Sequence, residues 1–170
     1  RVVTRPAWRA TMVGMTSSAA LRDLADRYWE ARLEASPLFA TFLGDHRYDD
    51  RVDDLSEAGD AQQRASWSEL LEEVRGLDTA AFDETDRVTH RLLEQELADN
   101  ITGIDTRLAE LASDPMQGVH AGLLTMAGQL RAAEPEHAAM AVVRVERLGA
   151  MLDQAVARFR QSDHSTCSHS

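Results

Sequence analysis

The sequence predicts an all-α protein, an irregular bundle of about six helices with no sheet. Three observations carry this. Ala, Leu, Glu and Arg, all strong helix formers, dominate a chain of 170 residues whose aromatic share is only 5%. Apolar residues recur at three- and four-residue spacing over long windows, and no stretch alternates at period two for long enough to argue a strand. Ser, Pro and Gly fall where such helices would start and stop.

The first helix is read over 18–35, with Leu21, Leu24, Ala25, Tyr28, Arg32 and Ala35 on one face, Trp29 beside it, and Ser17 or Ser18 as its cap. Ser36-Pro37 opens a short helix with Pro at its first position. Leu38, Phe39, Phe42 and Leu43 supply its apolar surface and Gly44 stops it. A polar loop over 45–55 follows, with Asp45, Asp49, Asp50, Asp53 and Asp54. Ser56 caps a third helix to about Arg75, carrying Ala58, Ala61, Ala65, Trp67, Leu70, Leu71 and Val74, and Gly76 ends it. After a turn over 78–83, Val88, Leu92, Leu93, Leu97, Ile101, Ile104, Leu108 and Leu111 trace one long helix that Gly103 can bend. Asp114-Pro115 marks its boundary. A shorter helix takes in Val119, Leu123, Leu124, Ala127 and Leu130. Glu134-Pro135 opens the last, with Met140, Val143, Arg147, Ala150, Met151, Gln154 and Phe159 at helical spacing. Residues 16–160 are thus expected to form one helical domain, between a poorly ordered extension at 1–15 and a disordered Ser/His-rich tail at 161–170.

The formal charge of -11 discourages association with nucleic acid or an anionic membrane, and no basic stripe with interleaved aromatics is present. No apolar run reaches the length of a membrane span. The single cysteine, Cys167, cannot form an internal disulfide, so no oxidising compartment is implied, and with no apolar h-region behind the basic residues at 1–6 the cytoplasm is expected. All eighteen basic residues are Arg, which reads either as a use of bidentate pairing or as codon usage in a GC-rich bacterial genome.

None of the six histidines belongs to a His-Glu-x-x-His pair, the two-ligand helical motif of zinc hydrolases. His90, His120 and His137 sit singly on expected helices, where a surface or core role is the simpler reading. His164, Cys167 and His169 are ligand types in a tail that offers no fourth partner. Glu134 and His137 have Glu-x-x-His spacing, but at a helix start and without a second such pair. No phosphate-binding glycine loop or Gly-x-Ser-x-Gly elbow occurs. The aspartate loop fails the calcium-loop pattern, because counting from Asp45 the glycine position holds Asp50 and the closing glutamate position holds Ser56. Turn and cap bonding by Asp side chains is the alternative. No catalytic residue, metal ligand or cofactor is therefore assigned.

The stretches Tyr28-Trp29-Glu30, Ser36-Pro37-Leu38-Phe39-Ala40-Thr41 and Gly44-Asp45-His46-Arg47-Tyr48-Asp49-Asp50-Arg51 resemble the opening of the bacterial domain-of-unknown-function family numbered 885. Asp114-Pro115-Met116-Gln117-Gly118-Val119-His120 and Arg144-Val145-Glu146-Arg147-Leu148 are similar to its middle stretch, so that the likeness covers residues 21–160. The resemblance implies a largely helical, zinc-peptidase-like protein longer than this chain, with its His-Glu-x-x-type metal motif in a C-terminal half that has no counterpart here. It implies zinc and a peptide substrate for full-length relatives alone. Tyr28, Trp29, Pro37, Gly44, Asp45, His46, Tyr48 and Asp49 stand as signature or groove residues. The chain is accordingly expected to be a truncated, non-catalytic N-terminal portion that self-associates through exposed apolar helix faces. The alternative is a self-sufficient helical module that binds a ligand or protein in a groove lined by Trp29, Phe42, Tyr48 and Trp67.

Overall fold

The computed structural model describes residues 16–111, 118–127 and 135–166. Among them seven α-helices and one 3-10 turn occur, and no strand: α1 (Ser17–Ala35), α2 (Pro37–Phe42), the 3-10 turn (His46–Tyr48), α3 (Glu57–Arg75), α4 (Glu84–Asp105), α5 (Leu108–Leu111), α6 (Val119–Ala127) and α7 (Pro135–Thr166). The expectations for residues 1–15, for the Asp114-Pro115 boundary, for Leu130 and for residues 167–170 lie outside the described residues.

The core is built from α1, α3 and α4. Leu21 and Leu24 meet Trp67, Leu70, Leu71 and Val74 from α3 and Leu93 and Leu97 from α4, with Phe82 folded in from the connecting turn. Each such side chain removed from water contributes roughly 1.5–3 kcal/mol. The helices α3 and α4 run antiparallel, because ion pairs link Arg75 to Glu94 at 2.7 Å near one end and Arg64 to Asp105 at 2.6 Å near the other. On the flank of α3, buried Glu73 accepts two bonds from Arg27 of α1, at 2.6 and 2.8 Å.

Side-chain caps mark the starts of α1, α3 and α4. Ser56 accepts from the Gly59 N–H and Asp83 from the Asp86 N–H. The cap of α1 is Thr16 rather than Ser17 or Ser18, since the Ser18 hydroxyl is turned across to the Asp86 carboxylate of α4. The stop at Gly44 has φ of +87°, and it closes α2 with two bonds: Gly44 N–H to Thr41 O and Asp45 N–H to Ala40 O, both 2.9 Å.

Three expectations are corrected. The single long helix through Leu111 is two helices: the chain breaks at Arg107, whose φ is +52°, while Thr102 and Thr106 direct their hydroxyls to carbonyls four residues back and loosen the last turn of α4. On α3 the inward positions of the first turns are Gly59 and Trp67, and Ala58, Ala61 and Ala65 face solvent. On α7 the buried face is Arg144, Met151, Ala155 and Arg158, whereas Arg147 and Ala150 are exposed. Apolar spacing missed this because two of the inward side chains are charged. Helix α7 runs on to Thr166.

Gly59 is buried where loop and helix touch. A Cβ there would stand 2.7 Å from Asp54 O and 2.8 Å from Asp54 Cγ. Gly59→Ala is therefore expected to destabilise the fold by roughly 1–3 kcal/mol, measured by urea unfolding. An unchanged midpoint would show that the loop yields freely at Asp54.

Candidate functional site

The loop over 45–55 brings backbone carbonyls and carboxylates to one place, and α7 supplies the donors that meet them. Arg144 is 1% exposed, and its guanidinium donates through Nε to Arg51 O at 2.8 Å, through Nη1 to Thr41 Oγ1 at 2.7 Å and through Nη2 to Tyr48 O at 2.6 Å. Asp49 lies beside it, with Oδ1 3.5 Å from Nη2. One turn further, Arg147 donates to Asp50 O at 2.7 Å. A buried cation is tolerated when its donors are met and negative charge is near. Both conditions hold here.

The aspartates hold the loop. Asp45 accepts from the Arg47 N–H at 3.1 Å and pairs with the Arg47 guanidinium at 2.6 Å, which holds its carboxyl below the usual range. Asp49 accepts from the Thr41 hydroxyl at 2.6 Å and from His46 Nδ1 at 2.8 Å. Asp53 caps the start of α2 from outside, accepting from the Leu38 N–H at 3.1 Å and the Ser36 hydroxyl at 2.8 Å. Burial pushes the Asp53 carboxyl up, against the pull of those two donors and of Arg144. Burial likewise draws the Arg144 guanidinium down, opposed by Asp49, Asp53 and Asp50.

Beside this clamp a groove of about 600 Å³ opens between α1, α3, α4, α5 and α7, with walls that include Arg32, Asp53, Asp60, Trp67, Asn100 and Arg158. Arg158, 8% exposed, pairs with Asp60 at 2.7 Å and with Glu110 at 3.4 Å, and donates to Leu55 O at 3.3 Å. Its burial pulls the guanidinium pKa down, but Asp60 and Glu110 outweigh this and raise it. The groove thus has an apolar floor at Trp67 and polar walls cross-linked by ion pairs. Among the described residues, no group of three or more His, Cys, Asp or Glu side chains is placed to hold a metal ion.

The residues singled out in the sequence are only partly brought together. Pro37 is buried at the first position of α2; Gly44, Asp45, His46, Tyr48 and Asp49 form the clamped loop. Tyr48 gives its carbonyl to Arg144, and its ring lies under the guanidinium groups of Arg47 and Arg51 at 5.3 and 5.4 Å. Tyr28 belongs elsewhere, tilted against Trp67 at 5.6 Å with its hydroxyl 3.3 Å from Glu96. The four-aromatic groove does not form: Trp29 and Phe42 are exposed, Trp67 is in the core, and Tyr48 borders a separate cleft with Arg27 and Glu69. The functional side chains that sequence reasoning passed over are Arg144 and Arg158. Their spacing with Met151, seven residues apart each time, was the available signal.

A family model described as a bacterial protein of unknown function, DUF885, matches residues 37–167. No curated protein and no solved structure matches the chain.

Two measurements test the clamp. Arg144→Met leaves Thr41 Oγ1 and the Arg51 and Tyr48 carbonyls without their donor and removes the cation beside Asp49, and it is expected to cost about 3–5 kcal/mol in urea unfolding. Arg144→Lys should recover only part of this, because one ammonium cannot reproduce the planar fork; full recovery would sink the argument. For Asp53, a raised native pKa means that ionisation subtracts from stability as pH rises above the ordinary aspartate value. Asp53→Asn should therefore gain on the parent as the pH rises above the ordinary aspartate value, and parallel pH–stability curves would contradict it.

Proposed function

Since this chain belongs to the DUF885 family, we propose that it is a non-catalytic helical wall of a zinc-peptidase-like assembly, whose metal-bearing half packs on the outer face of α7. One observation carries the reading. Val142, Val145, Leu152 and Val156 of α7 are 59%, 55%, 39% and 44% exposed and follow one another at helical spacings of three, seven and four residues. Gly149 lies within the same stripe, with open space where a Cβ would stand. At 100° per residue this stripe is centred roughly 140° from the face that carries Arg144, Met151 and Arg158. A helix with two such faces is built to be covered on both sides.

Leu92 on α4, Leu108 on α5 and Leu124 on α6 are also exposed. Zinc and peptide substrate belong, on this reading, to the longer relatives. The chain itself supplies shape, and the cytoplasm is its proposed location, in keeping with a single cysteine. Among the described residues no helix is long and apolar enough to cross a membrane. A second reading, a self-sufficient binding module, is favoured by the groove over Trp67.

Light scattering coupled to gel filtration tests the first reading. The isolated chain is expected to self-associate with rising concentration and to bind an apolar dye. Val145→Glu with Leu152→Glu should restore a monomer while changing stability by about 0.5 kcal/mol or less per site. A parent chain that is monomeric throughout, melts cooperatively and leaves the dye unbound would overturn it in favour of the module. Hydrolysis of a peptide library with zinc added, abolished by heat denaturation of the chain, would overturn the non-catalytic assignment.

A further inference from the structure

We infer that the groove over Trp67 takes a small zwitterion with an apolar body, whose carboxylate seats on the free edge of Arg32 and whose ammonium faces Asp99. The inference rests on the reading of that groove as a binding cleft, and not on the proposed packing of α7's outer face.

Most arginines of this acid-rich chain hold a carboxylate, as Arg27, Arg47, Arg64, Arg144 and Arg158 do. Among the described residues Arg22, Arg32, Arg87, Arg91 and Arg160 have none, and all of these except Arg32 are exposed. Arg32 is half-buried on the groove wall. Its guanidinium lies over the Phe39 ring, 5.5 Å from the centroid, and its Nη1 donates to Asn100 Oδ1 at 3.4 Å. The other edge, Nε with Nη2, meets no acceptor among the described residues. Arg64 uses that same edge to grip both oxygens of Asp105, at 2.6 and 2.9 Å. A planar fork held by its face and one corner presents the remaining edge in a fixed geometry, and that geometry matches a carboxylate.

A second arginine on the groove also has a donor to spare. Arg158 is 8% exposed, and its Nη atoms are taken up by Leu55 O, Asp60 and Glu110, while its Nε is buried with no acceptor among the protein's own atoms. A buried donor left unmet is costly. The groove is therefore short of acceptors, although the chain as a whole carries a charge of -11.

The remaining walls decide what else the ligand carries. Asp53, Asp54, Asp60 and Asp99 all border the groove, so a ligand with a negative charge alone meets repulsion. Asp60 is paired with Arg158, and Asp53 and Asp54 accept from the Leu38 and Ser56 N–H groups. Asp99 is bound only within its own helix, by Gln95 at 2.8 Å, and it precedes the asparagine that Arg32 touches. Carboxylate and ammonium on one carbon suit this neighbouring cation and anion. Phe39, Trp67, Ile104 and Leu108 offer apolar surface to the body of the ligand, in a volume of about 600 Å³ that is ordinary for a small-molecule site.

Calorimetric titration of the full chain with four probes of one shape tests the site. L-phenylalanine, phenylalaninamide, 3-phenylpropionate and 3-phenylpropanamide carry both charges, the ammonium alone, the carboxylate alone and neither. Phenylalanine is expected to bind once per chain, about tenfold more tightly than its amide and about threefold more tightly than 3-phenylpropionate. Arg32→Gln should abolish the preference for acid over amide, and Arg32→Lys, which keeps charge and stem without the fork, should restore only part of it. Asp99→Asn should weaken phenylalanine about threefold and leave 3-phenylpropionate no weaker. Thermal melts that match the parent's show that each variant is folded. Equal binding of acid and amide by the parent, or a preference that survives Arg32→Gln, would overturn the carboxylate seat while leaving the cleft reading in place. Phenylalanine binding untouched by Asp99→Asn would overturn the zwitterion. If none of the four probes binds, the cleft reading falls as well.

Discussion

Arg144 holds a guanidinium out of water against a loop that has no regular backbone partner of its own. Every direction of the fork is matched: Nε to Arg51 O, Nη1 to Thr41, Nη2 to Tyr48 O. Because the fork is planar and rigid, those three acceptors must converge on one plane, and the path of residues 41–51 follows from that demand. The left-handed turn at Gly44 and the 3-10 turn after it redirect the chain sharply enough to present the Tyr48 carbonyl inward. Asp49 then sits where its charge offsets the buried cation while its other oxygen fixes His46. Removing the arginine would leave a set of inward-facing acceptors, which is costlier than the loss of one contact.

The molecule is held by two different kinds of cohesion. Helices α1, α3 and α4 meet through Leu, Val, Trp and Phe side chains with little exposure. Helix α7 meets the rest through Arg144 and Arg158 as much as through Met151 and Ala155. The absence of lysine has a structural reading here, since bidentate forks occur at Arg27–Glu73 and Arg64–Asp105 and a three-acceptor fork at Arg144. Lysine could not replace them in kind. The exposed pair at Arg64 adds little stability by itself, while Arg27 meets a carboxylate that is 1% exposed.

Much of the fold was legible because its punctuation is local. Ser56, Gly76, Pro37 and Gly44 act through atoms within a few residues, so their effects can be read from sequence spacing. Leu21 and Leu24 of α1 and Leu93 and Leu97 of α4 followed from apolar periodicity for the same reason, whereas Val88 and Leu92 of the same pattern are exposed. What escaped was set by distant partners. Ser18 gave up its capping role to reach Asp86, and Arg107 broke a helix whose apolar repeat continues through Leu108 and Leu111. Trp29 and Phe42 are apolar yet outward, and Arg144 is charged yet inward, because the demand for donors comes from carbonyls about a hundred residues away in the chain. Hydrophobic pattern has no means of recording such a demand. Within the candidate site, turn and cap bonding by the Asp side chains was legible in the loop, and the helix that clamps it was not.

The span of those contacts has a kinetic consequence. The α3–α4 pair closes over one short turn, whereas α7 reaches the loop through bonds that join residues 93 to 103 positions apart, as for Arg144 with Arg51 and with Thr41. Closing so long a segment costs more chain entropy before any contact repays it. The hairpin of α3 and α4 with α1 is thus the early-forming unit, and the loop and α2 acquire their final path only when α7 docks. In the native protein the order reverses: release of α7 frees residues 41–55 together while the three-helix core stays closed, a sub-global opening that amide exchange would register as one cooperative group. The clamp is then a latch whose two sides, although nearly a hundred residues apart, open in the same event.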